Sequence, residues 1–153
     1  MGTVGDKAVK SQMACLPEQA DGSRVAFELI NENPLPRLDR IMELAQEGSL
    51  ELSQINLTLR ADYFLKGQEN LRATLETARK KNIRILLASI GFESFDDTIL
   101  KNLNKGVTRQ MNLDTIKAIR DLKPEFPYHF GYLKEEGANH GTTITWWKHT
   151  RLA

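Results

Sequence analysis

The sequence predicts an α/β domain built around a mainly parallel sheet. Short apolar runs of strand length alternate with stretches in which apolar residues recur every three or four positions, which is a helical period. Such strand–helix alternation is typical of parallel strands joined by right-handed crossovers. The best strand candidate, residues 83–90, is almost continuously apolar, which indicates burial on both faces. Periodicity alone leaves three arrangements open: an open wedge, part of a barrel, or a doubly wound sheet.

Length, charge and cysteine content narrow the class of protein. The 153 residues most simply form one domain, with a flexible arm over 1–23 and an α/β domain over 24–153. A formal net charge of +1 gives no electrostatic reason to expect nucleic acid or an anionic membrane as a partner. The chain also has no apolar run of the roughly 18–20 residues that span a bilayer, and no signal-peptide core. Its single cysteine, Cys15, fits a reducing compartment, so we expect a cytoplasmic protein.

The first predicted unit is a strand over residues 25–30 followed by a helix. Asn33 and Pro34 close the strand, because proline disfavours helix at the preceding residue and these residue types favour turns. The helix extends to Gly48, since glycine commonly terminates helices. Its apolar positions recur at helical spacing: Leu38, Ile41, Met42 and Ala45.

The second predicted unit repeats this order. Residues 55–59 alternate between apolar and polar types, as in a half-buried strand. A helix from about 68 to 81 follows, with basic residues near its negative end. Its inner face is marked by Leu71, Leu75 and Ala78. The strand over 83–90 comes next.

Two further helices and one or two strands complete the prediction. Ser94 is the expected N-cap of a helix, with the Asp97 carboxylate near the free amides of its first turn. Asn112 is the expected N-cap of the next helix. The inner faces are predicted to hold Ile99, Leu100 and Leu103 in the first helix, and Leu113, Ile116, Ile119 and Leu122 in the second. Residues 128–133 form a fourth strand candidate, and the remainder, which includes Trp146 and Trp147, is either a fifth strand or a disordered end.

Candidate functional residues follow from the position of the strand ends, because ligands of parallel α/β folds bind beyond the carboxyl ends of the strands. That rule selects residues 31–33, 60–62, 91–94 and the stretch after 133. The third segment combines a glycine for close backbone approach, a carboxylate that can hold hydroxyls or an ammonium group, and a serine near helix amides. A purely structural interpretation stays open: Ser94 caps a helix, Glu93 is solvated, and Arg60 and Asp62 form an ion pair.

A family resemblance lies in these same segments. Residues 90–108, IGFESFDDTILKNLNKGVT, resemble the "G-x-E-S … L … N-K-G-x-T" segment of radical S-adenosylmethionine proteins. The resemblance is closest to the branch with cobalamin-binding and anaerobic magnesium-protoporphyrin cyclase-like members. Residues 60–62 resemble that family's "R-A-D", residues 27–34 are similar to its "F-x-D-D-N" strand end, and residues 141–143 more weakly resemble its "P-x-T-T". The four segments occur in the family's order.

The resemblance implies a fold and a set of ligand contacts. The sheet would form part of a TIM-like (β/α) barrel. In the turn that begins with Gly91, Glu93 and Ser94 would help to hold S-adenosylmethionine, Glu93 through the ribose hydroxyls or the methionyl moiety. Asn31 and Glu32 would lie near the methionyl amino group, and Arg60 would line the same mouth.

The family's iron–sulfur cluster has no counterpart in the cysteines of this chain. The family holds a 4Fe-4S cluster with three cysteines spaced C-x3-C-x2-C, and one cysteine cannot supply three thiolates. The resemblance therefore implies a chain that is inactive alone: either a segment of a radical enzyme, with the cluster in a longer parent chain, or a natural remnant that lost its cluster. No metal site is predicted, because His129, His140 and His149 lack zinc-ligand spacing.

Two functions and one mode of association follow as expectations. The first function is a contribution to an S-adenosylmethionine site, with a small molecule as the partner and neither nucleic acid nor membrane. The alternative is a non-catalytic α/β module that binds another protein. Because a partial barrel would leave sheet edges and an apolar face uncovered, we also expect self-association.

Overall fold

The fold is a parallel sheet whose strands alternate with helices. The computed structural model describes residues 5–16, 25–29 and 33–132, with the side chains of 25–27 excepted. The strands are β1 (Val25–Leu29), β2 (Leu52–Arg60), β3 (Arg84–Gly91) and β4 (Phe130–Tyr132). All three pairings are parallel. The predicted fold class is confirmed; Asn31, Glu32 and the predicted fifth strand lie outside the described residues.

The strand order distinguishes among the arrangements that the sequence left open. The strands lie in the order β1-β2-β3-β4, so each is paired with its neighbour along the chain. A doubly wound sheet reverses its strand order at a switch point, and the four described strands contain no such reversal. Sequential parallel strands are the arrangement of a (β/α) barrel, so the sheet is consistent with part of a TIM-like domain.

The helices follow the predicted pattern with one addition between β2 and β3. That addition, α3, has six residues, too few to produce a recognisable helical period in the sequence. The predicted helices at about 38–48 and 68–81 are confirmed as α2 and α4. None of the described helices is long and apolar enough to cross a membrane. The helices between the strands are α2 (Leu38–Glu47, after a 3₁₀ turn at Leu35–Arg37), α3 (Ala61–Lys66), α4 (Gln68–Lys80), α5 (Asp97–Asn102) and α6 (Arg109–Leu122).

The sheet has one apolar and one more polar face. Along β2, Ile55, Leu57 and Leu59 are buried and join the helices in the core. The alternate positions, which point to the opposite face, hold polar side chains: Gln54, Asn56, Thr58 and Arg60. From residue 54 onwards, the described side chains on this side of β2 are thus polar, and the expected uncovered apolar face stays a prediction. Self-association itself stays a prediction.

The N-terminal segment contains a helix that the sequence did not predict. Helix α1 (Asp6–Met13) packs on α2, and Met13 is buried in the core. Two arginines donate hydrogen bonds to the Asp6 carboxylate, Arg37 at 3.3 Å and Arg40 at 2.9 Å. Helix α1 lies within the stretch that was expected to be a flexible arm, and the division into an arm over 1–23 and a domain over 24–153 stays a prediction.

The two predicted N-caps of α5 and α6 are both displaced. The side chain of Asp96, not Ser94, accepts hydrogen bonds from the first free amides of α5. Thr108, not Asn112, caps α6 through a bond from the Met111 amide. In each case the predicted residue is buried and makes a different contact. Both residues instead belong to the site described below.

The inner face of α5 is also narrower than predicted. Leu100 is buried, but Ile99 and Leu103 are 49% and 46% exposed. The Asp97 carboxylate accepts a bond from the backbone amide of Arg109, at 2.7 Å. Asp97 therefore ties the start of α5 to the start of α6 rather than serving α5 alone.

Candidate functional site

The carboxyl ends of β2 and β3 bring two of the predicted site residues side by side. Arg60, the last residue of β2, is the register partner of Gly91, the last residue of β3. Glu93 and Ser94 follow Gly91 after one intervening residue, Phe92. The predicted convergence of residues 60–62 and 91–94 is thus observed, whereas Asn31 and Glu32 lie outside the described residues.

Arg60 is fixed by several contacts. Its guanidinium donates to both carboxylate oxygens of Asp62, at 2.9 and 3.2 Å, and lies 5.2 Å from the centre of the Tyr63 ring. It also donates to the backbone carbonyl of Lys105, at 2.5 Å. The Asp62 side chain is 9% exposed and that of Arg60 is 28% exposed. The structural ion pair that the sequence left open is therefore present, and it holds a cation at the edge of the sheet.

Glu93 occupies an unusual backbone conformation. Its φ of 60° lies in the left-handed region, and the Ser94 amide donates to the Phe92 carbonyl across it at 2.6 Å, which closes a three-residue turn. Within the described residues, three other non-glycine residues have a positive φ, but each directly follows a helix C-cap, where that conformation commonly ends a helix: Ser49, Asn82 and Asn104. Glu93 has no such helix before it. Strain of this kind costs about 1–3 kcal/mol and is concentrated at functional sites.

Lys105 links Glu93 to Arg60, and the sequence analysis missed it. The Lys105 ammonium donates to the Glu93 carboxylate at 2.5 Å, while its own carbonyl accepts from Arg60. The Glu93 and Lys105 side chains are 35% and 38% exposed, so the ion pair is open to solvent. The available signal was the position of Lys105 inside the "N-K-G-x-T" segment, but its partner lies 12 residues away.

Gly91 leaves room for the Glu93 carboxylate. A Cβ atom at position 91 would lie 3.3 Å from Glu93 Oε1, which is tighter than most real contacts of a Cβ. A side chain at Gly91 would therefore press on the group that faces the mouth of the site.

Ser94 and Asn112 lie beneath this surface. Ser94 is 3% exposed, and its hydroxyl accepts a bond from the Asp96 amide at 3.0 Å. Asn112, in α6, is fully buried, and its Nδ2 donates to the carbonyls of Phe92 and Ser94 at 2.8 and 2.7 Å. Local sequence predicted a helix cap at Asn112, because nothing local indicates partners 18 and 20 residues away.

The segment after α5 forms the turn that presents Lys105. Asn104 ends α5 in the left-handed region, Gly106 has a φ of 64°, and Thr108 caps α6. Val107 is buried between them and anchors the turn in the core. Within the described residues, no three His, Cys, Asp or Glu side chains are placed to share a metal ion.

Comparison with known proteins gives one distant similarity. A protein of Methanocaldococcus jannaschii named "Putative methylthiotransferase" is 36% identical over 86 residues, which make up 54% of this chain and 17% of that protein. The present chain thus spans a small part of that relative's length. No family model and no solved structure matches the chain.

Proposed function

We propose that this chain is a segment of a radical S-adenosylmethionine enzyme domain and contributes part of the S-adenosylmethionine site. Methylthiotransferases belong to that superfamily, which agrees with the motif resemblance of residues 90–108. The observation that carries the proposal is the Glu93 carboxylate, held in a strained turn at the carboxyl edge of the sheet beside Arg60. That the longer enzyme carries out radical S-adenosylmethionine chemistry is part of the same proposal.

The chemistry of the side chains fits S-adenosylmethionine. Its ribose hydroxyls and its ammonium group can donate hydrogen bonds to the Glu93 carboxylate. Its own carboxylate needs a cation, and Arg60 and Lys105 supply two near the same mouth. Because Lys105 already pairs with Glu93, ligand hydroxyls or an ammonium group would share or replace that contact.

The remaining predicted residues have more limited parts. Ser94 is buried, and its hydroxyl accepts a hydrogen bond from the Asp96 amide. We therefore propose that Ser94 stabilises the shape of the turn and does not contact the ligand. Gly91 keeps space for the carboxylate of Glu93. Asn31 and Glu32 stay predicted contacts for the methionyl amino group.

An iron–sulfur cluster does not fit the residues of this chain. Such a cluster needs several thiolates, and the single cysteine, Cys15, lies exposed just after α1. No step of radical chemistry is therefore assigned to these residues. What they can do is bind and orient a ligand, with a cluster supplied by a longer parent protein.

The test is binding of S-adenosylmethionine to the wild-type chain and to Glu93→Ala, measured by equilibrium dialysis at millimolar ligand. Loss of a charge-assisted hydrogen bond should weaken binding about tenfold or more. Glu43→Ala is the matched control, because Glu43 is also an ion-paired, partly exposed glutamate but lies on α2. It should bind like the wild type.

The competing hypothesis makes the opposite forecast. A non-catalytic protein-interaction module would show no saturable binding of S-adenosylmethionine, and Glu93→Ala would be silent. Equal affinities for Glu93→Ala and Glu43→Ala would likewise contradict the proposed role of Glu93.

A further inference from the structure

We infer that Asn112 is a positioning residue that holds Glu93 in its left-handed turn and thereby sets where the Glu93 carboxylate lies. The effect on the backbone stands on the geometry alone. Its consequence for a ligand rests on the proposed function. Asn112 forms no hydrogen bond with the carboxylate; it acts through the backbone carbonyls of Phe92, before Glu93, and Ser94, after it.

The two hydrogen bonds of Asn112 bracket one residue. Its Nδ2 donates one proton to the carbonyl of Phe92, before Glu93, and the other to the carbonyl of Ser94, after it. The Phe92 carbonyl also accepts from the Ser94 amide, so it is shared by the turn and by Asn112. One amide nitrogen therefore restrains the Phe92–Glu93 peptide and the Ser94–Phe95 peptide, between which the strained residue lies.

The side chain at this position needs two donors on one atom. Only the amides of Asn and Gln offer an uncharged NH₂ group of this kind, and the extra methylene of Gln would need room at a fully buried position. The orientation of the amide follows from the contacts, because Oδ1 placed against two carbonyl oxygens would bring three acceptors together. Nδ2 must therefore face the turn.

The oxygen of the Asn112 amide indicates that this residue does not serve packing stability alone. Asn112 Oδ1 is buried and has no hydrogen-bond partner within the described part of the chain. An unsatisfied buried acceptor is unfavourable, so packing stability alone would favour an apolar side chain of similar size. The two donor bonds to the Glu93 turn offset that cost.

Helix α6 gives Asn112 a fixed support. One turn further along the same helix, the buried hydroxyl of Thr115 lies 3.2 Å from the carbonyl of Ala61, the residue that follows Arg60. Its single proton is shared with the Met111 carbonyl, 2.8 Å away. Helix α6 thus contacts both strand ends of the candidate site, and Asn112 transmits its position to the Glu93 turn.

The first experiment needs no ligand. Amide hydrogen exchange is followed by NMR at Ser94, whose amide closes the turn, and at Ile85, whose amide donates to His129 within the sheet. Asn112→Leu should raise exchange at Ser94 at least tenfold more than at Ile85. Thr74→Val is the control, because it removes another buried side-chain hydrogen bond, to Asp39, away from the site. In Thr74→Val, amide exchange at Ser94 should not rise more than exchange at Ile85.

A second variant separates positioning from general stability. Glycine adopts a positive φ without strain. In Glu93→Gly, the two hydrogen bonds from Asn112 should therefore no longer be needed to hold the turn. The effect of Asn112→Leu on Ser94 exchange should therefore shrink in the Glu93→Gly background. An equal effect in both backgrounds, equal increases at Ser94 and Ile85, or failure of Asn112→Leu to fold in both backgrounds would overturn the inference.

Dialysis with S-adenosylmethionine then tests the consequence for the ligand. If the wild type binds, Asn112→Leu should lose about as much affinity as Glu93→Ala, and the double variant should lose little more, because both act through one contact. Additive losses would contradict positioning through Glu93. If the wild type does not bind, the proposed function fails, while the exchange data still decide whether Asn112 holds the turn.

Discussion

The Glu93 turn and the surface between α1 and α2 are both held by side-chain contacts, but the contacts differ in kind. The α1–α2 surface consists of ion pairs among side chains that are 21–46% exposed: Asp6, Lys10, Arg37, Arg40 and Glu47. The Glu93 turn is held by a fully buried neutral amide. Both regions lie on elements that precede or follow a strand of the same sheet.

The difference shows how the chain fixes one segment firmly and another loosely. Exposed ion pairs are screened by water and salt, and each contributes little to stability. They tolerate small shifts, since long side chains can find new partners. A buried amide with two short donor bonds tolerates almost none, because moving away leaves polar groups unsatisfied. The candidate site lies on the firmly fixed segment.

The largest expected contrast is between two carboxylates that each bind arginine. Asp62 receives two bonds from Arg60 and is 9% exposed, whereas Asp6 receives one bond each from Arg37 and Arg40 and is 46% exposed. Asp62→Ala should lower the free energy of unfolding by about 2 kcal/mol, as for a lost charge-assisted bond. Asp6→Ala should cost less than about 1 kcal/mol. Urea unfolding of both variants measures the difference, and equal losses would remove the contrast.

A smaller effect is expected at two glycines, one in each region. Neither an added Cβ at Gly106 nor one at Gly5 would have any atom within 4 Å, but Gly106 has a φ of 64° and Gly5 a φ of −69°. Gly106→Ala should therefore cost about 1 kcal/mol of backbone strain, whereas Gly5→Ala, at the N-cap of α1, should cost about 0.5 kcal/mol, because alanine is a poorer N-cap than glycine. Thermal unfolding compares them. A larger loss for Gly5→Ala would show that cap solvation outweighs backbone strain.

The smallest effect is expected from acid on the α1–α2 surface. Hydrogen bonds from Lys10 and then Arg40 lower the pKa of Glu47 below its ordinary value of 4.5. Because the folded pKa is the lower one, the contribution of Glu47 is present above pH 4.5 and is lost as the pH falls through the folded value. Protection factors of α1 amides should then decrease relative to those of α6. Glu47→Gln at neutral pH should reproduce part of the decrease.

If α1 keeps its protection in acid, the buried Met13 rather than the ion pairs holds it on α2. High salt offers an independent check, since screening should weaken the ion pairs without protonating Glu47. A salt effect on α1 with none on the Ser94 amide would sharpen the difference between the two regions.

Periodicity predicted the elements long enough to show it. The apolar spacing of α2 and α4 and the run in β3 gave their positions to within a few residues, since burial on one face leaves a regular pattern. Helices α1 and α3 were not predicted because eight and six residues are too few to show a clear helical period, and only one residue of α1 is buried. The inner face of α5 was overestimated, because Ile99 and Leu103 match the spacing yet remain exposed.

The candidate site was predictable in part. Its place at the strand ends follows from a rule about parallel sheets, and Arg60, Gly91, Glu93 and Ser94 could be selected on that ground. The roles of Lys105 and Asn112 could not, because their partners are 12 to 20 residues away and carry no local signature. Asn112 was mistaken for a cap since asparagine favours that position in the absence of tertiary information.

The sequence by itself determined the alternation of strands and helices, the parallel sheet, and the strand-end segments in which chemistry could lie. These depend on local hydrophobic spacing and turn residues, which neighbouring positions set. Only the tertiary structure decided the sequential strand order, the left-handed turn at Glu93 and the clamp from Asn112. Each of these depends on hydrogen bonds between residues distant along the chain, and local spacing carries no information about such partners.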